Sequence, residues 1–476
     1  MNGQLDGRTK WSYCIGATGR DAAYALVSMY LILYVQYTMN LTSAQFMVIS
    51  GAMIACMVWD AVNDLLMGII IENAHFAMGK FKPWILIGSI TNAIVIVCLF
   101  TIRPTGWGFV AFYSLFYLLW GMTYTMNDIA YWGVLPSLSS DPDTRDSLVT
   151  VMSIFICIGQ FSVAGVVPVV IAGNAVMAYR IVALLVALAL IAFQMLTAFG
   201  IRERERVTQT DKLSLKDMYR IFARNDQLVA AGISSIFFNI ACNLLIIFGV
   251  NFFYIEYGYS ESGNLVFLFT VMYGLGMLLS QANYALISKR FSRAQIMRVC
   301  FIGLLIGYGC FMGFGYVIPK NIVLLNVIGF FIFFFQGLMN LAIIVMINNT
   351  IEYDESRFHE RHDSVISAVR SFSVKLAGGI NQGLSSLVLV FSGIYAISRN
   401  ISSLEIEVGR GEMTSDEALT AANGYIAQIT RTQGLVFRMG MVLIPVVALI
   451  ISYVIIRKKY HIDEAEYDAL IAQKTT

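Results

Sequence analysis

The chain is expected to be an all-α membrane protein: about twelve transmembrane helices in two six-helix bundles, with both termini in the cytoplasm. Three observations predict this. Of 476 residues, 58% are hydrophobic and only 13% charged, whereas a soluble domain is nearer half apolar and a quarter charged; the mean hydropathy is +0.71. The apolar residues gather into runs of roughly 20 or more, the length that crosses a bilayer as helix, and runs so continuous argue against a barrel of alternating strands. A charged, apolar-poor segment, Arg202 to Asp226, divides the runs six and six.

Polar punctuation bounds the spans at 12–38, 44–72, 83–103, 107–134, 148–173, 177–200, 228–256, 263–288, 295–317, 322–350, 364–396 and 431–456. The domains that follow are a first bundle over 1–200, a cytoplasmic linker over 201–226, a second bundle over 227–458 and a cytoplasmic tail over 459–476. A short surface helix is expected at 213–223 within the linker. With Met1 inside, the inner loops collect most of the lysine and arginine, including Lys80, Lys82, Lys289, Arg290 and Arg293, and the outer loops hold few. That bias sets the orientation. The first run is long and lacks a cleavage site, so it reads as a retained helix rather than a signal peptide. The net charge of +2 gives no reason to expect a nucleic-acid partner.

All seven cysteines fall in apolar runs, so no disulfide framework is expected. His359 and His362 are close in sequence but lack a third ligand for a metal. The polar stretch 399–424 reads as an outer loop with a short helix. The basic loops at Gly79–Lys82, after span 2, and Ser288–Arg293, after span 8, echo one another. Six plus six with matching basic loops is the plan of major-facilitator carriers, whose substrate lies between the halves near the midplane.

The chemistry is concentrated in a few charged residues inside the apolar runs. Trp59-Asp60-Ala61-Val62-Asn63-Asp64 places two carboxylates and an amide on one face of span 2. A bilayer core does not solvate a bare carboxylate, so a cation, a proton or a basic partner must offset the cost. Asp60, Asn63 and Asp64, with Thr125 and Asp128 on span 4, supply the oxygens a hard cation such as Na+ takes; Ca2+ would require more. The competing structural reading has the carboxylates neutralised by Lys375 or an arginine. The first half also carries Arg20 and Asp21 in its spans, and the second carries Arg370 and Lys375. Trp132 follows Asp128 by one turn. A carboxylate beside an indole can hold a sugar, the acid taking hydroxyl hydrogens and the ring the C–H face, although packing is the commoner use of such a ring.

These blocks resemble the glycoside–pentoside–hexuronide:cation symporter family. The matching stretches are Gly19-Arg20-Asp21, Trp59 to Asp64 with Gly68, Gly79-Lys80-Phe81-Lys82-Pro83-Trp84, Thr125 to Pro136, Thr350-Ile351-Glu352-Tyr353 and Val374-Lys375. They run in order over residues 8 to 460. The resemblance implies a cation site at Asp60, Asn63, Asp64 and Thr125, and a sugar site at Arg20, Asp21, Asp128 and Trp132 with Lys375 approaching from the second half. It also implies a monomeric carrier in a bacterial cytoplasmic membrane that works by alternating access. The coupling ion would be Na+, with H+ or Li+ as alternatives, and no cofactor or catalysis is implied.

The chain also departs from the family pattern. Ser153 stands at an expected span 5 arginine, Arg370 and Ser371 at a glutamine and a threonine, Asn340 at a tryptophan, and Met57 at a basic residue. These changes surround the sugar rather than the ion. Arg370 is therefore expected either to partner Asp21 or to help Arg20 and Lys375 bind an anionic sugar. A neutral glycoside is favoured, because Asp21 and Asp128 already offset two positive charges. Sugar exchange and a membrane sugar sensor are the rival functions; the short tail, without a recognisable signalling domain, speaks against the sensor.

Overall fold

The computed structural model describes residues 6–74, 76–139, 142–203, 220, 222–358 and 363–467. The described chain is helical almost throughout. The first span is α1 (Gly7–Ala25), a π-helical turn at Leu26–Tyr30 and α2 (Leu31–Thr38). There follow α3 (Ser43–Asn73), α4 (Lys82–Thr101), α5 (Gly106–Leu138), α6 (Pro142–Ile171) and α7 (Ala175–Gly200). The second half has α8 (Asp226–Tyr257), α9 (Ser262–Ser288), α10 (Arg293–Gly313), α11 (Ile322–Phe358) and α12 (Asp363–Phe391). After these come α13 (Ile394–Arg410), α14 (Ser415–Ala427) and α15 (Arg431–Lys459). Eleven of these helices are long and apolar enough to cross a membrane. The first span is the twelfth of the expected set, divided by its π turn, the kind of irregularity often found at functional sites.

Helix starts follow local chemistry. Thr42 with Gln45, Ser292 with Gln295 and Thr414 with Glu417 form reciprocal capping boxes at α3, α10 and α14, each satisfying two backbone donors a helix start leaves open. Pro83 in the first turn of α4 lacks an N–H that would have no partner there. Gly393 and Gly411, both left-handed, end α12 and α13.

The chain forms two compact units. The first comprises residues 1–209, 253–267 and 389–430; the second comprises 210–252, 268–388 and 431–476. In the first, α1 packs on α6 and α7, α4 on α5 and α7, and α3 on α5. Lipid tails are as apolar as the side chains, so close packing and interhelical hydrogen bonds must hold such helices together. Small residues allow it: a Cβ on Gly19 would sit 2.7 Å from the Ala189 carbonyl, and one on Gly88 2.7 Å from the Asn127 amide. A polar string adds direction. Asn127 Nδ2 donates to the Ile85 carbonyl (2.9 Å) and to Gln194 Oε1 (3.0 Å), and Gln194 Nε2 donates to the Gly16 carbonyl (2.8 Å).

The polar stretch expected as an outer loop with one short helix is a hairpin of two, α13 and α14. Hydrogen bonding along α13 allows the backbone to be exposed outside an apolar run without loss. In the first unit α13 rests on α2 and α7, Tyr395 stacks on Phe46 at 4.2 Å, and buried Glu405 accepts from the Gly173 and Ala175 amides and from Tyr259 Oη. In the second unit α10 packs on α11 and α15. There Glu464, just beyond α15, accepts from the backbone and side chain of Arg293 at the start of α10. The helix expected at 213–223 lies almost wholly outside the described residues, as do His75, His359, His362 and the tail beyond 467.

Candidate functional site

The rotation of α5 decides which of its polar residues face one another. Asn127 and Tyr131, one turn apart, are buried against α4, α7 and α1: Tyr131 stacks on Tyr13 at 4.7 Å, and each tyrosine hydroxyl donates to the other's carbonyl. With that face committed, Gly121, Thr125, Asp128 and Trp132 are turned elsewhere.

Gly121 and Thr125 meet α3. Thr125 Oγ1 donates to Asp64 Oδ1 at 2.9 Å. A Cβ on Gly121 would lie 2.5 Å from Asp60 Oδ1, so the Asp60 carboxylate occupies the space that the missing side chain leaves. Both carboxylates are half-buried and turned toward α5. Asn63, between them, is buried, and its Nδ2 makes no hydrogen bond among the described residues; turning the amide over would present its oxygen instead. The four residues thus offer carboxylate, hydroxyl and amide oxygens, the donor set a hard monovalent cation takes.

Asp128 and Trp132 meet α1. Arg20, 2% exposed, donates through Nε and Nη2 to Asp21 Oδ2 at 3.0 and 2.7 Å. Its Nη1 lies 3.2 Å from Asp128 Oδ1, an ion pair without hydrogen-bond geometry. The guanidinium also sits over the Tyr131 ring at 4.5 Å and the Trp132 ring at 5.5 Å, stacking that a planar cation makes well. The Asp128 side chain is 34% exposed and Trp132 39%, which makes them the accessible members of the cluster. Trp132 is therefore no core residue. Between the two groups of carboxylates, Tyr24 stacks on Trp120 and packs obliquely on Tyr124, at 6.2 and 5.2 Å, within electrostatic reach of Asp128, Asp21 and Asp60.

The remaining expected residues, Arg370, Ser371 and Lys375, lie on α12 in the second unit. Arg370 is exposed and Lys375 half-buried; the Ser371 side chain lies outside the described residues. Ser153 takes no part in the cluster on α1 and α5: it is exposed, and its hydroxyl donates to its own helix at Val149 (2.8 Å).

The structure adds participants that the sequence reasoning missed. Gly121 is one, and its spacing of one turn before Thr125 was a usable signal. Gln160 is another: its Nε2 donates to Asp21 Oδ1 at 3.1 Å, from two turns after Ser153 on the same face of α6. Glu203 is a third. Its carboxylate accepts from the backbone amides of Lys80, Phe81 and Lys82 at 2.7 to 3.3 Å, binding the basic loop at the start of α4. Gly79 (φ +109°) permits this, for a Cβ there would lie 2.7 Å from the carboxylate.

Comparison with known proteins agrees with this architecture. The profile of the MFS/sugar transport protein family matches residues 12–464. The chain is 25% identical to a lactose permease of Lactobacillus delbrueckii subsp. bulgaricus over 98% of its own length and 72% of the permease's. It is 24% identical to a raffinose carrier protein of Pediococcus pentosaceus, covering 97% and 70% respectively. It is also 24% identical to a glucuronide carrier protein homolog of Escherichia coli, covering 86% and 88%. Among solved structures, a D-xylose-proton symporter superposes with a TM-score of 0.62 at 15% identity, over 90% of this chain and 98% of that one. At that identity the likeness concerns the fold.

Proposed function

This chain belongs to the MFS/sugar transport protein family, multi-pass sugar transporters of the bacterial cytoplasmic membrane, and from that premise we propose that it is a Na+-coupled symporter of a neutral glycoside or small oligosaccharide. The ion would be held by Asp60, Asn63, Asp64 and Thr125. The sugar would be received by Asp128, Trp132 and the Nη1 of Arg20; Lys375, Arg370 and Ser371 on α12 are further candidates that the family resemblance adds. The observation that carries this reading is the hydrogen bond from Thr125 to Asp64 beside an Asp60 housed against Gly121: it makes α3 and α5 a single oxygen-rich seam, and Asp128 lies on the same α5.

In the mechanism that follows, Na+ neutralises part of the Asp60/Asp64 pair and draws α3 to α5. Asp128 and Trp132 are thereby set for the sugar, the acid accepting from hydroxyls while the indole covers the C–H face. The doubly loaded carrier then exchanges its access, and the carrier loaded with Na+ alone does so poorly. A coupling of about 1–3 kcal/mol, a 5- to 150-fold mutual gain in affinity, would be ordinary. Linkage demands that sugar tighten Na+ by the same factor.

The test is uptake of a sugar panel, lactose and raffinose included, into vesicles under separate Na+ and pH jumps. Na+ should drive accumulation. Asp60→Cys should abolish it while sparing sugar binding, and Asp128→Cys should lose sugar binding while sparing the ion. Normal accumulation by both variants would refute the assignment, and a response to pH alone would point to H+. The exposed Arg370 favours one second reading, an anionic sugar. Competition by a glucuronide and by no neutral glycoside would select it.

A further inference from the structure

The cluster around Asp21 uses up its hydrogen-bonding capacity in an uneven way. Asp21 is 5% exposed. Its Oδ2 takes two bonds from Arg20 and its Oδ1 one from Gln160 on α6. Asp128 and Trp132 are several times more exposed. Asp21 is thus well placed to aim Arg20. The guanidinium is planar, so two bonds to one carboxylate oxygen fix its plane, and with it the direction of Nη1. That nitrogen makes no hydrogen bond among the described residues and lies 3.2 Å from Asp128 Oδ1.

We propose that Gln160 is the positioning residue of the sugar site: by clamping Asp21 it holds Arg20 in the plane that presents Nη1 and covers Trp132. The proposal rests on the glycoside-symport reading and deepens it. It makes a neutral amide the residue that donates to Asp21 from α6. A neutral clamp leaves Asp21 and Asp128 to balance Arg20 with one negative charge over, where a second arginine would have cancelled it.

The experiment is uptake of radiolabelled lactose by the full-length protein in right-side-out vesicles at saturating Na+. Gln160→Leu keeps the bulk and removes the donor. Its KM should rise about tenfold, with the maximal rate and the half-saturating Na+ concentration within about twofold of wild type. Gln160→Glu supplies a signature that packing alone would not. A protonated Glu can donate to Asp21, whereas an ionised one repels it. The KM of this variant, divided by the wild-type value at each pH, should lie nearest one at the acid end and climb toward the Gln160→Leu value as pH rises. Among the described residues, Arg20 and Tyr24 on α1, Tyr124 and Tyr131 on α5 and Cys157 on α6 are within electrostatic reach of Asp21, with Asp128 paired to the same Arg20, and all are present in the wild-type control. A wild-type KM in Gln160→Leu, or a Gln160→Glu ratio flat with pH, would overturn the positioning role while leaving symport intact. Absence of lactose uptake by the wild type itself would instead strike the symport reading for this sugar, and the proposal would fall with it.

Discussion

The hydroxyl of Thr125 donates to Oδ1 of Asp64 across 2.9 Å, joining the helix that carries the paired carboxylates to the helix that carries Asp128. A hydrogen bond to an ionised acceptor contributes about 1.5–3 kcal/mol. Thr125→Val keeps the shape and removes the donor and the ligand oxygen. The Na+ concentration for half-maximal uptake should rise roughly tenfold or more, read from the Na+ dependence of initial rates. An unchanged half-saturation would remove Thr125 from the site.

Gly121 tests the neighbouring carboxylate. Its missing Cβ leaves the space into which Asp60 projects, at 2.5 Å from where that atom would be. Gly121→Ala forces the Asp60 carboxylate to move, although Ala is otherwise the better helix residue. Na+-driven accumulation should fall by about tenfold or more while the protein inserts normally. An Ala variant with wild-type coupling would show that Asp60 need not sit there.

Glu203 binds the basic loop through its backbone amides. The three amides that donate to its carboxylate lie at the N-terminus of α4, where a negative charge also meets the helix dipole favourably. Glu203→Gln keeps one acceptor oxygen and loses the charge. Amide hydrogen exchange at Lys80, Phe81 and Lys82 should quicken about tenfold, corresponding to roughly 1.4 kcal/mol of local opening. Exchange unaltered at these three amides would show that the loop is held by other contacts.

Glu405, buried where α13 meets the Gly173 and Ala175 amides, is expected to make the hairpin of α13 and α14 sensitive to pH. Burial pushes its carboxyl above the ordinary glutamate value of 4.5, against the downward pull of the Ala175, Tyr259 and Gly173 hydrogen bonds. A carboxyl raised in the folded state contributes stability that is full below the unfolded value and is lost as pH climbs through the folded one. Glu405→Gln cannot ionise. The variant and the wild type should differ little near pH 4, and the variant should gain on the wild type as pH rises, by about 1.4 kcal/mol per pH unit within the window. The difference in thermal unfolding midpoint at each pH measures it. A constant difference across pH would mean that folding leaves the Glu405 carboxyl unshifted.

Much of the site could be read from the order of residues. Asp60, Asn63 and Asp64 could be assigned to one face because helical spacing is a local rule, and Thr125 and Asp128 could be placed on a second helix for the same reason. The partner of Asp21 could not. Within the first unit both oxygens of Asp21 are engaged, by Arg20 and Gln160. A glutamine in an apolar run carries no signal of what it will meet. Glu203 looked like one charge among several in Arg202-Glu203-Arg204-Glu205-Arg206; only the folded chain brings it to amides more than 120 positions earlier.

The sequence by itself determined that this chain lives in a bilayer, where its helices run, and which charged residues must find company there. Each of these follows from local transfer free energy, summed over some twenty neighbouring residues. The tertiary structure alone decided how far each helix is rotated, and hence that Asp60 and Asp64 turn to α5, that Asp21 is enclosed and that Asp128 stays open. Rotation is set by glycine contacts and interhelical hydrogen bonds such as Asn127 to Gln194. Those are agreements between distant stretches of chain, and no local property of either stretch contains them.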